Sequence, residues 1–288
     1  MKLAIGAAQL GMPYGVANRV GRVNGASAAR MLDVARANGI DTIDTAAAYG
    51  ESEATLGTIG TSGFRVVTKI GPIPATCPDA ADWVVESVRA SCGRLRRPSV
   101  YGVLLHRSED LLGPHGAGVA DGLRRLPSHG LAERFGVSVY SPDELARAQS
   151  VLGGDLVQLP RNPFDRRFDR TGWIRRLADS GVEVHVRSIF LQGLLAMAPS
   201  AVPERFSRWR GPLEAWHRWL AARGVGAIEA CLSDAMSDPC ISRIVTGFDS
   251  PEQLAEACAL AGRSSLPAPD SLAVDDLDLL LPSRWSKP

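Results

Sequence analysis

The sequence is short of several things. Its 288 residues include only five cysteines, Cys77, Cys92, Cys231, Cys240 and Cys258, and no Cys-x-x-Cys pair. The odd count argues against a disulfide scaffold, and the spacing against a zinc site; reduced thiols in a cytoplasmic protein and no metal are expected. A dominant charge is also missing. Thirty-two Lys and Arg face 31 Asp and Glu, a net charge of +1. No global field therefore draws the chain to nucleic acid or an anionic membrane. No apolar run is long enough to cross a bilayer. The run Leu3–Ala8 follows Lys2, but Gln9, Gly11 and Pro13 break it, so it reads as a buried strand entering an active-site loop. No Gly-x-Gly-x-x-Gly follows that strand, which disfavours a Rossmann fold. No linker or low-complexity tract divides the chain.

What remains is alternation. Short strand-like runs fall at Leu3–Ala8, Thr42–Asp44, Arg65–Thr68, Val100–Leu105, Arg134–Val137, Leu156–Leu159, Val182–Val186 and Ile241–Thr246. Helical periodicity follows most of them, at Ser27–Asn38, Ala80–Leu95, Gly118–Ser128, Pro142–Leu152, Trp173–Ser180 and Pro251–Ala261. Ser27 is the expected N-cap of the first helix. Alternation implies parallel strands with crossover helices, and eight units predict an α/β fold: a (β/α)8 TIM barrel in a single domain, 1–288. Two segments lie outside the repeat. Pro199–Gly224 predicts an extra helix over the barrel mouth. The tail 266–288 reads as surface packing or a lid.

Barrel active sites form where strands end. Asp44 ends the second strand and Tyr49 follows it. Lys69 ends the third strand and His106 the fourth. A hydride reaching a carbonyl carbon creates an alkoxide that needs a proton. Tyr49 can supply one if its pKa, ordinarily about 10, is lowered by the Lys69 ammonium. Asp44 would hold Lys69, and His106 would orient the substrate oxygen. His115, His129, His185 and His217 have no such company and read as surface or packing residues.

The run Ile43-Asp44-Thr45-Ala46-Ala47-Ala48-Tyr49-Gly50-Glu51-Ser52-Glu53, with Leu56-Gly57, resembles the signature of the aldo-keto reductases. Val67-Thr68-Lys69 and Leu104-Leu105-His106 fall where that family places its lysine and histidine. The resemblance implies a catalytic tetrad of Tyr49, Lys69, Asp44 and His106 and a nicotinamide cofactor. It extends from Gly6 to about Glu256.

The same resemblance implies the cofactor contacts. They are Gly6, then Ser138 and Gln158 on the carboxamide, Ser188 and the Leu191–Gly193 backbone on the pyrophosphate, and Gly247, Ser250 and Gln253 beyond. Arg187 stands where the family commonly has an aromatic ring on the nicotinamide; it either stacks there as a guanidinium plane or joins an ion pair. Val139 and Ala257 replace the family's asparagines. The family implies NADP(H) rather than NAD(H), although no Lys or Arg lies between Thr246 and Gln253 to hold a 2′-phosphate.

The expected partner is a small carbonyl or sugar molecule, acted on by a monomer or small homo-oligomer. Arg161, Arg166, Arg167, Arg170, Arg205, Arg208 and Arg210 form either an anion-binding mouth or a solvated basic rim. Phe164, Phe168, Trp209 and Trp216 offer an apolar wall instead. Two rival functions stand beside carbonyl reduction: a non-catalytic nicotinamide-binding regulatory barrel, and an isomerase or lyase using the same Lys and Asp.

Overall fold

The computed structural model describes residues 1–263 and 266–285. Eight parallel strands close into a barrel in chain order, β1 pairing with both β2 and β8. They are β1 Leu3–Gly6, β2 Thr42–Asp44, β3 Arg65–Ile70, β4 Val100–Leu105, β5 Ala132–Ser138, β6 Leu156–Pro160, β7 Glu183–Arg187 and β8 Arg243–Thr246. The expected first strand runs to Ala8, but β1 stops at Gly6 and Ala8–Gly11 turns helical. The first long helix, Gly25–Ala37, starts two residues earlier than expected. Its cap is therefore Asn24, which accepts from the Ser27 N–H at 2.9 Å; Ser27 is a residue of the first turn, not the cap. The helix Ala227–Met236 is absent from the sequence reading. Residues 230–235 are all buried, so it lacks the polar face that periodicity detects.

A large core lies between barrel and helices. It gathers apolar residues such as Ile5, Ile43, Val103 and Val186. A second core joins the segment after β7 to the tail, with Phe164, Trp209, Trp216, Leu279 and Leu280 buried together. Phe168 belongs to the first core. The four aromatic residues expected as a possible substrate wall are thus packing residues. Tail residues 266–285 pack here, and none of them lines the large cavity described below; residues 286–288 lie outside the described residues. Nor does any residue of 199–224 line it.

The rim arginines are not aimed at the mouth: Arg170, Arg208 and Arg210 are exposed, as a solvated rim requires, and the others are wholly or partly buried. Arg161 and Arg166 are buried on the two oxygens of Asp234, at 2.9 and 2.5 Å. Arg167 pairs with Asp165, Arg170 with Asp275, and Arg208 with Asp276. Arg205 packs over Phe206. None of the seven lines the large cavity, so the anion-binding mouth expected of them does not form.

Candidate active site

Register brings the candidate residues to one end of the barrel. Asp44 ends β2 beside Gly6, Lys69 lies next to Leu104 on β4, and Ser138 next to Gln158 on β6. The Tyr49 loop is fixed by its backbone. The Tyr49 N–H donates to the Ala46 carbonyl at 3.0 Å, and the Ser52 N–H to the Tyr49 carbonyl at 3.0 Å. The Ser52 hydroxyl donates to the Ala7 carbonyl at 2.7 Å, tying the loop to β1. Gly11 allows the two loops to meet: a Cβ there would stand 1.7 Å from the Tyr49 carbonyl oxygen. Glu53 anchors the next turn, accepting from the Thr68 hydroxyl at 2.5 Å and from Arg94 Nε at 2.7 Å.

Lys69 is completely enclosed. Its Nζ donates to Asp44 Oδ1 at 2.5 Å and to the Thr45 carbonyl at 3.0 Å. Asp44 Oδ2 accepts from Gln158 Nε2 at 2.7 Å, and Gln158 Oε1 accepts from Ser138 Oγ at 3.3 Å. Lys69 Nζ stands 5.0 Å from the Tyr49 ring centre, and His106 meets that ring edge-on at 5.6 Å between centres. The four expected catalytic side chains therefore form one cluster. Burial pulls the Lys69 pKa down, against the attraction of Asp44. Burial, with the Lys69 charge added, lowers His106 to about 4, so its imidazole is neutral at physiological pH.

Tyr49 departs from expectation. Burial, then the negative charge of Asp44, raises its pKa, and only Arg187 opposes them among the nearby cations. The ammonium expected to lower it is instead committed to Asp44 and the Thr45 carbonyl. The phenol holds its proton firmly at neutral pH.

An open cavity of about 370 Å³ begins at Tyr49 and Asp44. It passes Arg187, Ser188, Gln192 and Gly193, then Gly6 and Gly247, and ends at Asp249, Gln253 and Glu256. Six of the expected cofactor contacts line it, Gly6, Arg187, Ser188, Gly193, Gly247 and Gln253, with the catalytic candidate Tyr49 at the chemical end. Ser138 and Gln158 do not line it; they are buried behind, bonded to each other and to Asp44. Leu191 is buried in the second core, and Ser250 caps the helix Pro251–Leu260. Tyr14 and Asn18, in the loop after β1, also line the cavity and are absent from the sequence reading. Both stand in an irregular loop with no periodicity to mark their direction.

The walls fit an elongated nucleotide. Ser188, Leu191 and Gln192 hold φ of 60°, 47° and 54°, a left-handed backbone that costs non-glycine residues about 1–3 kcal/mol each. Such strain gathers where a loop clamps a ligand. A Cβ at residue 247 would lie 2.1 Å from Gln9 Oε1, so Gly247 makes room for the Gln9 amide, which lines the cavity beside it. Gln253, in the first turn of Pro251–Leu260, brings a helix N-terminus to the far end, a favourable place for phosphate.

Arg187 has no carboxylate partner among the described residues. Its Nη2 donates to the Val139 carbonyl at 3.0 Å, and its guanidinium lies 4.1 Å from the centre of the Tyr140 ring. The ion-pair alternative is therefore not realised.

The closed (β/α)8 barrel has a buried ionic cluster beside an open cavity at one end, the arrangement of a barrel enzyme. The chain belongs to the aldo/keto reductase family, whose sequence model matches residues 2–278, and is an NAD(P)H-dependent oxidoreductase. Among solved structures, it is similar to PA4992 from Pseudomonas aeruginosa, assigned as an aldo-keto reductase. That likeness has 24% identity and a TM-score of 0.67, and covers 90% of this chain and 89% of that one. It is also similar to the aldo-keto reductase AKR11C1 from Bacillus halodurans in its holo form, at 19% identity, with a TM-score of 0.74, covering 93% and 88%. No curated protein matches the sequence.

Among the described residues there is no helix long and apolar enough to cross a membrane, and no group of three or more His, Cys, Asp and Glu placed to hold a metal ion.

Proposed function

We propose that this chain reduces the carbonyl of a small aldehyde, ketone or aldose, with Tyr49 as the proton donor. The clustering of Tyr49, Lys69, Asp44 and His106 at one end of an elongated cavity carries the reading. A nicotinamide cofactor, when bound, supplies the hydride. Arg187, Ser188, Gly193, Gly247 and Gln253 would hold it. The neutral His106 donates a hydrogen bond to the substrate oxygen and orients it. Tyr49 stays protonated in the resting site because its pKa is raised. An alkoxide is a much stronger base than a phenolate, so proton transfer from even this tyrosine runs downhill once the alkoxide forms. The Lys69 ammonium stabilises the phenolate left behind, and Asp44 holds that ammonium in place.

The far end of the cavity supports NADH over NADPH, against the family-based expectation. Asp249 and Glu256 line it, and no Lys or Arg does. A 2′-phosphate would meet carboxylates there, whereas a ribose hydroxyl could donate to them.

Oxidation of reduced nicotinamide, followed by absorbance across a panel of aldehydes and aldoses, tests the reading. Tyr49→Phe is expected to lower turnover by roughly 10²–10⁴-fold while leaving the fold intact. Undiminished turnover in that variant would remove Tyr49 from the mechanism.

A further inference from the structure

Charge is distributed unevenly along the cavity wall. Asp44 is neutralised by Lys69 at 2.5 Å. Asp249 and Glu256 lie at the far end with Gln253. Arg187, beside Tyr49, is the one cationic side chain among the described lining residues, and no carboxylate pairs with it. Its position is set from one side: Tyr140 covers one face of the guanidinium, Val139 accepts from Nη2, and Ser188 Oγ accepts from Nη1 at 3.5 Å. The cavity takes what is left of it.

We propose that Arg187 makes this end of the cavity discriminate between the two redox forms of the cofactor, favouring the neutral reduced nicotinamide ring over the cationic oxidised one. The inference rests on the reading that a nicotinamide ring lies next to Tyr49. The two forms share adenine, riboses and phosphates, and differ at the ring by one positive charge. Contacts along the rest of the cavity therefore cancel in the ratio of their affinities. That ratio reports the potential at the ring alone. An unpaired guanidinium raises this potential, and at close range beside a partly buried ring it is screened less than in bulk water. An aromatic side chain in the same place would act in the opposite sense, because its negative π-face attracts a cation. Asp44 would favour the oxidised ring, but Lys69 spends that charge first. The consequence for function is directional. Oxidised cofactor leaves readily and reduced cofactor replaces it, so cofactor exchange favours the carbonyl-reducing direction, while the bound reduced ring becomes a somewhat weaker hydride donor than the free one.

Titration of the purified full chain with NADH, NAD+, NADPH and NADP+, followed by tryptophan fluorescence or calorimetry with no substrate present, tests this. The wild type is expected to bind each reduced form at least roughly tenfold more tightly than its oxidised partner. Arg187→Gln is expected to shrink that ratio by about tenfold, Arg187→Lys to keep most of it, and Arg187→Tyr to invert it. A wild-type ratio near one, or a ratio that Arg187→Gln leaves within about twofold, overturns the inference while the reductase reading stands. Failure of the wild type to bind any of the four overturns both.

Discussion

Gln158 donates its side-chain amide to Asp44 Oδ2 at 2.7 Å, while Lys69 holds Oδ1 at 2.5 Å. Both oxygens of the buried carboxylate are thus engaged within the barrel. Gln158 acts here through Asp44, as a positioning residue. Gln158→Leu leaves a buried carboxylate oxygen without a donor, at about 1–3 kcal/mol of stability. It also loosens the Lys69 ammonium near Tyr49, and kcat/KM is expected to fall by up to roughly 10²-fold. Gln158→Glu distinguishes positioning from packing. It places a second carboxyl against Asp44, so activity should recover as pH is lowered and one of the two is protonated. A pH profile of Gln158→Glu parallel to wild type would exclude this role.

The Lys69–Asp44 pair makes a second prediction. Both side chains are almost fully buried, so either charge left alone is expensive. Lys69→Met should destabilise the fold by about 3–5 kcal/mol. The double variant Lys69→Met with Asp44→Asn should lose less than the sum of the singles, by about 0.5–3 kcal/mol of coupling. Urea unfolding of the four proteins measures this. Strict additivity would mean that the two residues are not coupled.

Much of this site can be read without coordinates, and the reasons are local. Asp44, Lys69 and His106 fall at or just past the ends of three successive strands, and a barrel gathers such ends at one mouth. Tyr49 is legible because its run carries Gly50, Ser52 and Glu53 at fixed offsets. What could not be read depends on contacts between distant loops. The packing of Arg187 on Tyr140 joins the ends of β7 and β5, and no spacing predicts it. The commitment of Gln158 to Asp44 crosses the barrel interior, 114 residues apart in sequence. The rim arginines misled for a related reason. Their carboxylate partners Asp234 and Asp275 come from other segments, so the sequence displays the cations without showing what neutralises them.

The acidic far end of the cavity predicts cofactor choice. NADH should bind more tightly than NADPH, and Gln253→Arg should narrow or reverse the difference by giving a 2′-phosphate a cation in the first helical turn. Gln253 Oε1 accepts from the Asp249 N–H at 2.9 Å, so the substitution also frees a backbone donor. Removing Glu256 as Glu256→Gln should help NADPH further. Equal affinity of the wild type for both cofactors would show that these carboxylates do not face the ribose.

His106 couples the site to acid stability. Burial, reinforced by Lys69, lowers its folded-state pKa to about 4, whereas an unfolded histidine titrates near 6.5. As pH falls below about 6.5, the unfolded chain takes up a proton that the folded chain refuses. Stability contributed by the neutral imidazole is therefore complete above about 6.5, and is lost progressively between about 6.5 and about 4. The loss is at most about 3 kcal/mol, reduced by the partial exposure of the ring. His106→Gln carries no titrating group and should lose less stability than wild type between about pH 7 and pH 4.5. The urea midpoints of both proteins, measured at those two pH values, give the comparison directly. Equal losses in the two proteins would mean that His106 titrates normally in the fold. It would then be charged in mildly acidic solution and able to donate from both ring nitrogens, and the neutral state assigned to it would hold only near neutral pH and above.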